Sequence, residues 1–224
     1  MHRCFKATIT TLIVSLNAWS QMSYTEDGYR IPTEFPTFTF PRDHGSHPDF
    51  RIEWWYITGH LHAENKDRYG FQATFFRYAL KPNAAAGSDQ FGDEHIYMAH
   101  MALSDIDQKA FYHEERLNRD GWDAFCSTER MEMQNGNWSL VQDAENQIEL
   151  IATIQEEVQL NLTLDPAQPH VTFGENGLSK KGAETSACSW YITYPRLQIV
   201  GDIILNNKSI PVEGEAWMDH EISS

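Results

Sequence analysis

The chain has 224 residues, with 32 Asp and Glu against 17 Lys and Arg, a formal charge of −15 at neutral pH. Such a surface repels nucleic acid and anionic lipid headgroups, so neither is an expected partner. A hydrophobic content of 41% over this length suits a globular chain with a packed core, one large all-β domain or two small ones.

Residues 1–20, MHRCFKATITTLIVSLNAWS, join a basic start to a short apolar run and an Ala18-Trp19-Ser20 ending. This is the pattern of a secretory signal peptide cut before Gln21. Its apolar run falls short of the roughly 20 residues that a spanning helix needs. Cleavage removes Arg3 and Lys6, leaving 15 basic against 32 acidic residues. The implied location is secreted or periplasmic. In that oxidising setting Cys126 and Cys188 are either a disulfide or two buried thiols.

Residues 21–50 are rich in Pro, Asp, Gly, Ser and Thr and read as an irregular lead-in, because the prolines of FPTFTFP oppose helix and central strand alike. A β domain follows over 51–224. Strands are expected at 52–61, 70–78, 95–104, 109–116, 121–126, 138–142, 147–154, 157–164, 188–194, 196–205 and 209–218. Short, evenly spaced strands of this kind give an all-β antiparallel barrel or sandwich. Two turns are signalled: Asp165-Pro166 ends QLNLTLDP, and Asn206-Asn207 separates RLQIVGDIIL from SIPVEGEAW.

The first strand, IEWWYITGHLH, is aromatic on both faces. Trp55, Ile57 and Leu61 share one; Ile52, Trp54, Tyr56, Thr58 and His60 share the other. GFQATFFRY repeats the pattern, with Gln72, Thr74, Phe76 and Tyr78 together. In a small barrel one face looks into the lumen, so an aromatic-polar face fits the lining of a pocket for a long apolar molecule. The other reading is a sandwich core, with aromatics at a domain interface.

No Gly-x-Ser-x-Gly elbow, phosphate loop or dinucleotide glycine pattern occurs, so nothing points to nucleotide use or to α/β-hydrolase chemistry. His60-x-His62, His44-x-x-His47 and Asp219-His220-Glu221 could together supply metal ligands. The first pair sits at a hairpin tip, where exposed histidines need no metal, and neither a metal nor another cofactor is expected. GEAWMDHEISS carries the stronger signal. If it stays extended, Trp217, Asp219 and Glu221 share a face, with Met218 and His220 opposite. Two carboxylates beside an indole resist double ionisation, and one of them could then donate a proton. Alternatively, Asp219 and Glu221 pair with Arg196 or Arg77 and serve structure only.

Five motifs in order, EWWYITGHL (53–61), GFQATFFR (70–77), HMALSD (100–105), WYITYPRLQIVG (190–201) and GEAWMDHE (214–221), resemble those of the AttH-like secreted proteins. That family is related to carotenoid 1,2-hydratases and more distantly to fungal lipocalin-like Diels-Alderases. The resemblance implies lipocalin-like β-barrel domains, usually two per chain, so a second barrel is an expected partner of this one. It also implies an apolar ligand, an isoprenoid or a lipid. In the hydratase branch water adds to an acyclic carotenoid without a redox cofactor, and Asp219 matches that branch's Asp-His pair. On the enzyme reading this is a hydro-lyase with Asp219 as acid, Glu221 tuning it and His220 orienting water or a carboxylate. Trp54, Tyr56, Gln72, Phe76 and Trp217 would line the ligand site, with Tyr56 and Trp217 facing a carbocation. On the carrier reading the same pocket transports a lipid, and Asp219 is structural.

Overall fold

The computed structural model describes residues 23–82, 94–121 and 123–224. The segment read as a signal peptide lies outside the described residues. The lead-in forms a two-stranded ribbon, β1 (Ser23–Tyr24) with β2 (Arg30–Ile31), and one turn of 3-10 helix at Arg42–His44. One large sheet follows: β3 (Ile52–Ala63), β4 (Arg68–Ala79), β5 (His95–Asp105), β6 (Ala110–Arg119), β7 (Ala124–Cys126), β8 (Glu132–Asn135) and β9 (Trp138–Gln142). Then come β10 (Ile148–Ile154), β11 (Val158–Pro166), β12 (Val171–Thr172), β13 (Ser179–Lys180), β14 (Cys188–Leu205) and β15 (Lys208–Ser223).

The order across the sheet is β6-β5-β4-β3-β15-β14-β11-β10-β9-β8-β7, with every pairing antiparallel, and β12 and β13 lie along β14. The result is a nearly closed, lipocalin-like antiparallel barrel. Side chains bridge the remaining seam. Arg116 of β6 donates to the Asn135 carbonyl and lies 3.9 Å over the Trp138 ring, while the Asn135 amide donates to the Tyr97 carbonyl.

Strict alternation sets the two faces. Trp55, Ile57, Leu61, Phe71, Phe75, Met101, Leu103, Met133, Trp138, Leu140 and Leu160 point inward, none more than 3% exposed, and fill the barrel interior. Two expected strands, 188–194 and 196–205, are one 18-residue strand with a register shift between Tyr194 and Leu197. Pro195 explains the break expected there, since it removes a ladder donor, and the bulge absorbs that loss. β15 runs five residues beyond the expected 218, which carries the whole DHE motif into the sheet. At the Asn206-Asn207 turn both residues have positive φ, 53° and 60°, as a two-residue hairpin of primed type requires. Gly214 permits the close approach of β15 to β3: a Cβ there would sit 2.0 Å from the His60 carbonyl oxygen. Cys126 and Cys188 are both free and buried, so these two positions are thiols rather than a disulfide.

Candidate functional site

The EWW and DHE motifs meet because β3 and β15 are neighbours, with Glu53 opposite Ile222, Trp54 opposite Glu221, Tyr56 opposite Asp219 and Thr58 opposite Trp217. Alternation then divides the motif residues between two environments. Glu53, Trp55 and His220 go inside, where they form an ionic cluster with Arg77 and His47. Trp54, Tyr56, Trp217, Asp219 and Glu221 go to the outer face of the sheet.

The inner cluster centres on Glu53, which is fully buried. Its Oε1 lies 2.7 Å from His47 Nδ1 and 2.8 Å from His220 Nε2. Its Oε2 accepts from the His47 amide at 2.7 Å and from Arg77 Nε at 3.3 Å. Arg77 also donates to the carbonyls of His47 and Phe50, and so ties the lead-in to the barrel. Burial alone would raise the Glu53 carboxyl; the His47 and His220 imidazoles outweigh it and hold it well below the usual range. Burial would lower His47, but the charge of Glu53 and the hydrogen bond to Asp43 raise it. For His220 burial wins, and its imidazole is pushed down and stacked on Trp55, ring centroids 4.6 Å apart. His47, Glu53 and His220 present three possible metal ligands within 4.8 Å. Yet both imidazoles approach one carboxylate oxygen at hydrogen-bond distances, and a guanidinium occupies the other. This geometry is organised by protons.

The outer face holds a second group around Asp219, which is 8% exposed. Its Oδ1 accepts from Thr193 Oγ1 at 2.7 Å and from the Trp217 indole N–H at 2.6 Å. Tyr191 shares a hydrogen bond with the same carboxyl, and burial together with Asp219 pushes the Tyr191 phenol up. The Thr193 hydroxyl and the Trp217 indole thus both take Oδ1. Glu221 accepts from Ser189 and pairs with Lys181 Nζ at 2.7 Å. Lys181 also lies 4.6 Å over the Tyr191 ring, and Phe173 packs on Tyr191 and Trp217 with centroids 5.3 and 6.2 Å apart. The segment from β12 to β13 therefore closes one side of the group.

The five expected lining residues are brought together. The register puts Phe76 beside Trp54, Thr74 beside Tyr56 and Gln72 beside Thr58, so Trp54, Tyr56, Gln72, Phe76 and Trp217 form one half-buried patch over β15, β3 and β4. That patch faces outward. The expectation that it lines the lumen is corrected: the lumen is the Trp55-Ile57 side, already packed with side chains. Trp55 and Ile57 are fully buried there, the Trp55 indole N–H donating to the His44 carbonyl at 2.9 Å, and a barrel of this width needs such residues to fill it. His220 cannot orient water or a carboxylate beside Asp219, because it is 1% exposed on the opposite face and bound to Glu53. Glu221 is directed to Lys181 and Ser189. The suggested arginine partners are engaged elsewhere, Arg196 with Glu215 and Arg77 with Glu53. His60 and His62 are exposed at the hairpin end, as their position suggested. Sequence reasoning missed Tyr191 and Thr193, which alternate in WYITYP but reach Asp219 only through the β14–β15 pairing. It also missed Lys181, which sits in a loop without a local signal.

An AttH-like family model matches residues 32–224. A crystal structure assigned as AttH from Nitrosomonas europaea is 35% identical, with a TM-score of 0.74 over 84% of this chain and 56% of that one. Kievitone hydratase from Nectria haematococca shares the fold at 10% identity, with a TM-score of 0.62 over 91% of this chain and 58% of that one. The chain thus spans a little over half the length of each. No curated protein matches the sequence. With five motifs in order, a family match over nearly all the described residues and a barrel superposable on an AttH structure, the chain belongs to the AttH-like family.

Proposed function

We propose that this protein binds an apolar small molecule, an isoprenoid or a lipid, on the outer aromatic face of β3, β4 and β15, and acts on it as a cofactor-free hydratase-like lyase. One observation carries the reading. Asp219 is held by three side-chain donors, Thr193, Trp217 and Tyr191, at the centre of an aromatic patch able to face an apolar ligand. Trp54, Tyr56, Phe76 and Trp217 supply the apolar surface, and Gln72 and Thr58 supply polar anchors.

In this mechanism the proton on Asp219 Oδ2 forms a C–H bond with one alkene carbon. The electron-rich faces of Tyr56 and Trp217 stabilise the cation left on the other. A water oxygen bonds to that carbon, and its surplus proton returns to Oδ2. Water has been added, and the carboxyl is restored. Thr193 and Trp217 keep Oδ1 fixed throughout, and Tyr191 orients the carboxyl from the β14 side. A further β domain, comparable to the part of the AttH structure that this chain does not span, is the partner we propose over the patch. That a protein named as a hydratase has this fold is a likeness of architecture only.

The test is Asp219→Asn, assayed with lycopene in water enriched in heavy oxygen. Labelled hydroxyl in the product should fall about 100-fold or more, while lycopene binding changes less than about threefold. Unchanged turnover removes Asp219 as the acid. Binding by wild type and variant with no turnover in either favours a carrier.

A further inference from the structure

A cavity of about 450 Å³ opens at the end of the barrel beside the 3-10 helix. Phe40, His44, His170 and Tyr194 make its walls. The Phe40 ring lies 4.1 Å from His44 and 4.2 Å from His170, and Tyr194 stands 5.4 Å from His44 and 5.8 Å from His170, centroid to centroid. Asp165 at the end of β11 and Glu145 between β9 and β10 form the rim, both exposed. Among the described residues no Lys or Arg lines the cavity.

The imidazoles do not supply the missing positive charge. Burial, with His220 and His170 nearby, pushes His44 down to about 3, and burial lowers His170. The Gln142 amide donates to the Tyr194 oxygen, which also lies within hydrogen-bond distance of His44 Nε2, 2.8 Å away. Arg42 is paired with Asp43, and Arg196, whose carbonyl binds the Ala167 amide, is paired with Glu215. Four aromatic rings, two carboxylates, the Pro166–Pro169 segment and, among the described residues, no Lys or Arg thus line a space of small-molecule size. An anion would be repelled. An uncharged apolar ligand would gain nothing from the rim. A metal ion needs convergent donor atoms, and the set of three that converges among the described residues is His47, Glu53 and His220.

We propose that this cavity binds a small organic cation of the alkylammonium class, with its charge over the Phe40 and Tyr194 rings and facing Asp165 and Glu145. The acidity of the whole chain raises the local concentration of such a ligand. The site is separate from Asp219, which is on the outer face, so either can fail without the other.

Choline chloride titrated into the full chain by calorimetry tests it, with sodium chloride at equal ionic strength as the blank. Saturable binding is expected, weakened at least about tenfold when the probe is the uncharged isostere with carbon in place of nitrogen. Phe40→Leu and Asp165→Asn should each weaken choline by about threefold to tenfold, with thermal unfolding checked for both, and His60→Ala should not. A parallel titration with phosphatidylcholine vesicles separates the two sources of this group: binding to vesicles identifies a lipid headgroup, and binding to choline alone a free cation. Equal affinity for the isostere, or no saturable choline binding in either arm, overturns the proposal.

Discussion

Replacing Glu53 with Gln should cripple the fold through the cluster at the barrel end. The carboxylate accepts from four donors and faces the buried Arg77 guanidinium. Gln keeps the shape but removes the charge, and it turns an NH₂ group toward donors that have no other acceptor. Breaking a buried ion pair from one side costs about 3–5 kcal/mol. Urea unfolding at neutral pH should show a lower midpoint with an unchanged slope. The pH dependence follows from the directions of the shifts. His47 is raised, so its contribution is fully present below 6.5 and is lost as pH rises through the folded value. Glu53 is depressed and Asp43 is lowered to about 2, so their contributions are present above 4.5 and 3.8 and are lost as pH falls. Wild-type stability should form a dome between those limits, and its difference from Glu53→Gln should narrow on the alkaline side. A loss below about 1 kcal/mol, or a difference that is flat with pH, would refute the reasoning.

Neighbouring substitutions should separate sharply. His220→Ala removes a buried hydrogen bond to a charged group and should lower stability by about 1.5–3 kcal/mol, whereas Asp219→Asn should leave unfolding within about 1 kcal/mol, both read by urea titration. Gly214→Ala should destabilise by about 1–3 kcal/mol or more in the same assay, because its Cβ meets the His60 carbonyl and neither strand can move without breaking the ladder. Burial raises both the Cys126 and Cys188 thiols, so the native protein should react slowly with a thiol reagent and yield two equivalents from these positions once unfolded. Lys181→Ala should loosen the loop between β13 and β14, seen as faster proteolysis there without a large change in midpoint.

Much of the barrel was legible because alternation is a strong signal. Residues 138–142 match β9 end to end, and the strands expected at 52–61, 70–78, 95–104, 147–154 and 157–164 differ from β3, β4, β5, β10 and β11 by no more than two residues at either end. The shortest elements, β8, β12 and β13, were not legible, since two to four residues carry no period. The sequence also identified which residues of β3, β4 and β15 share a face. It could not say which face is inside, because both carry aromatics. That choice rests on which set packs against distant strands such as β9 and β11, and only the folded chain shows it. His220 illustrates the same limit: its place next to Asp219 in sequence suggested cooperation, while alternation puts the two side chains on opposite sides of the sheet. Tyr191 and Thr193 entered the site through the β14–β15 register, which no local pattern encodes.

The most direct test of the central claim is to extract the purified protein with organic solvent and identify any retained molecule by mass spectrometry, in parallel for wild type and for a Trp54→Ala, Trp217→Ala double variant. The outer-face account predicts an isoprenoid or lipid in the wild type and its loss from a variant that still folds, since both indoles lie outside the packed core. Retention of the same molecule by the folded double variant, or an empty wild type, would contradict it.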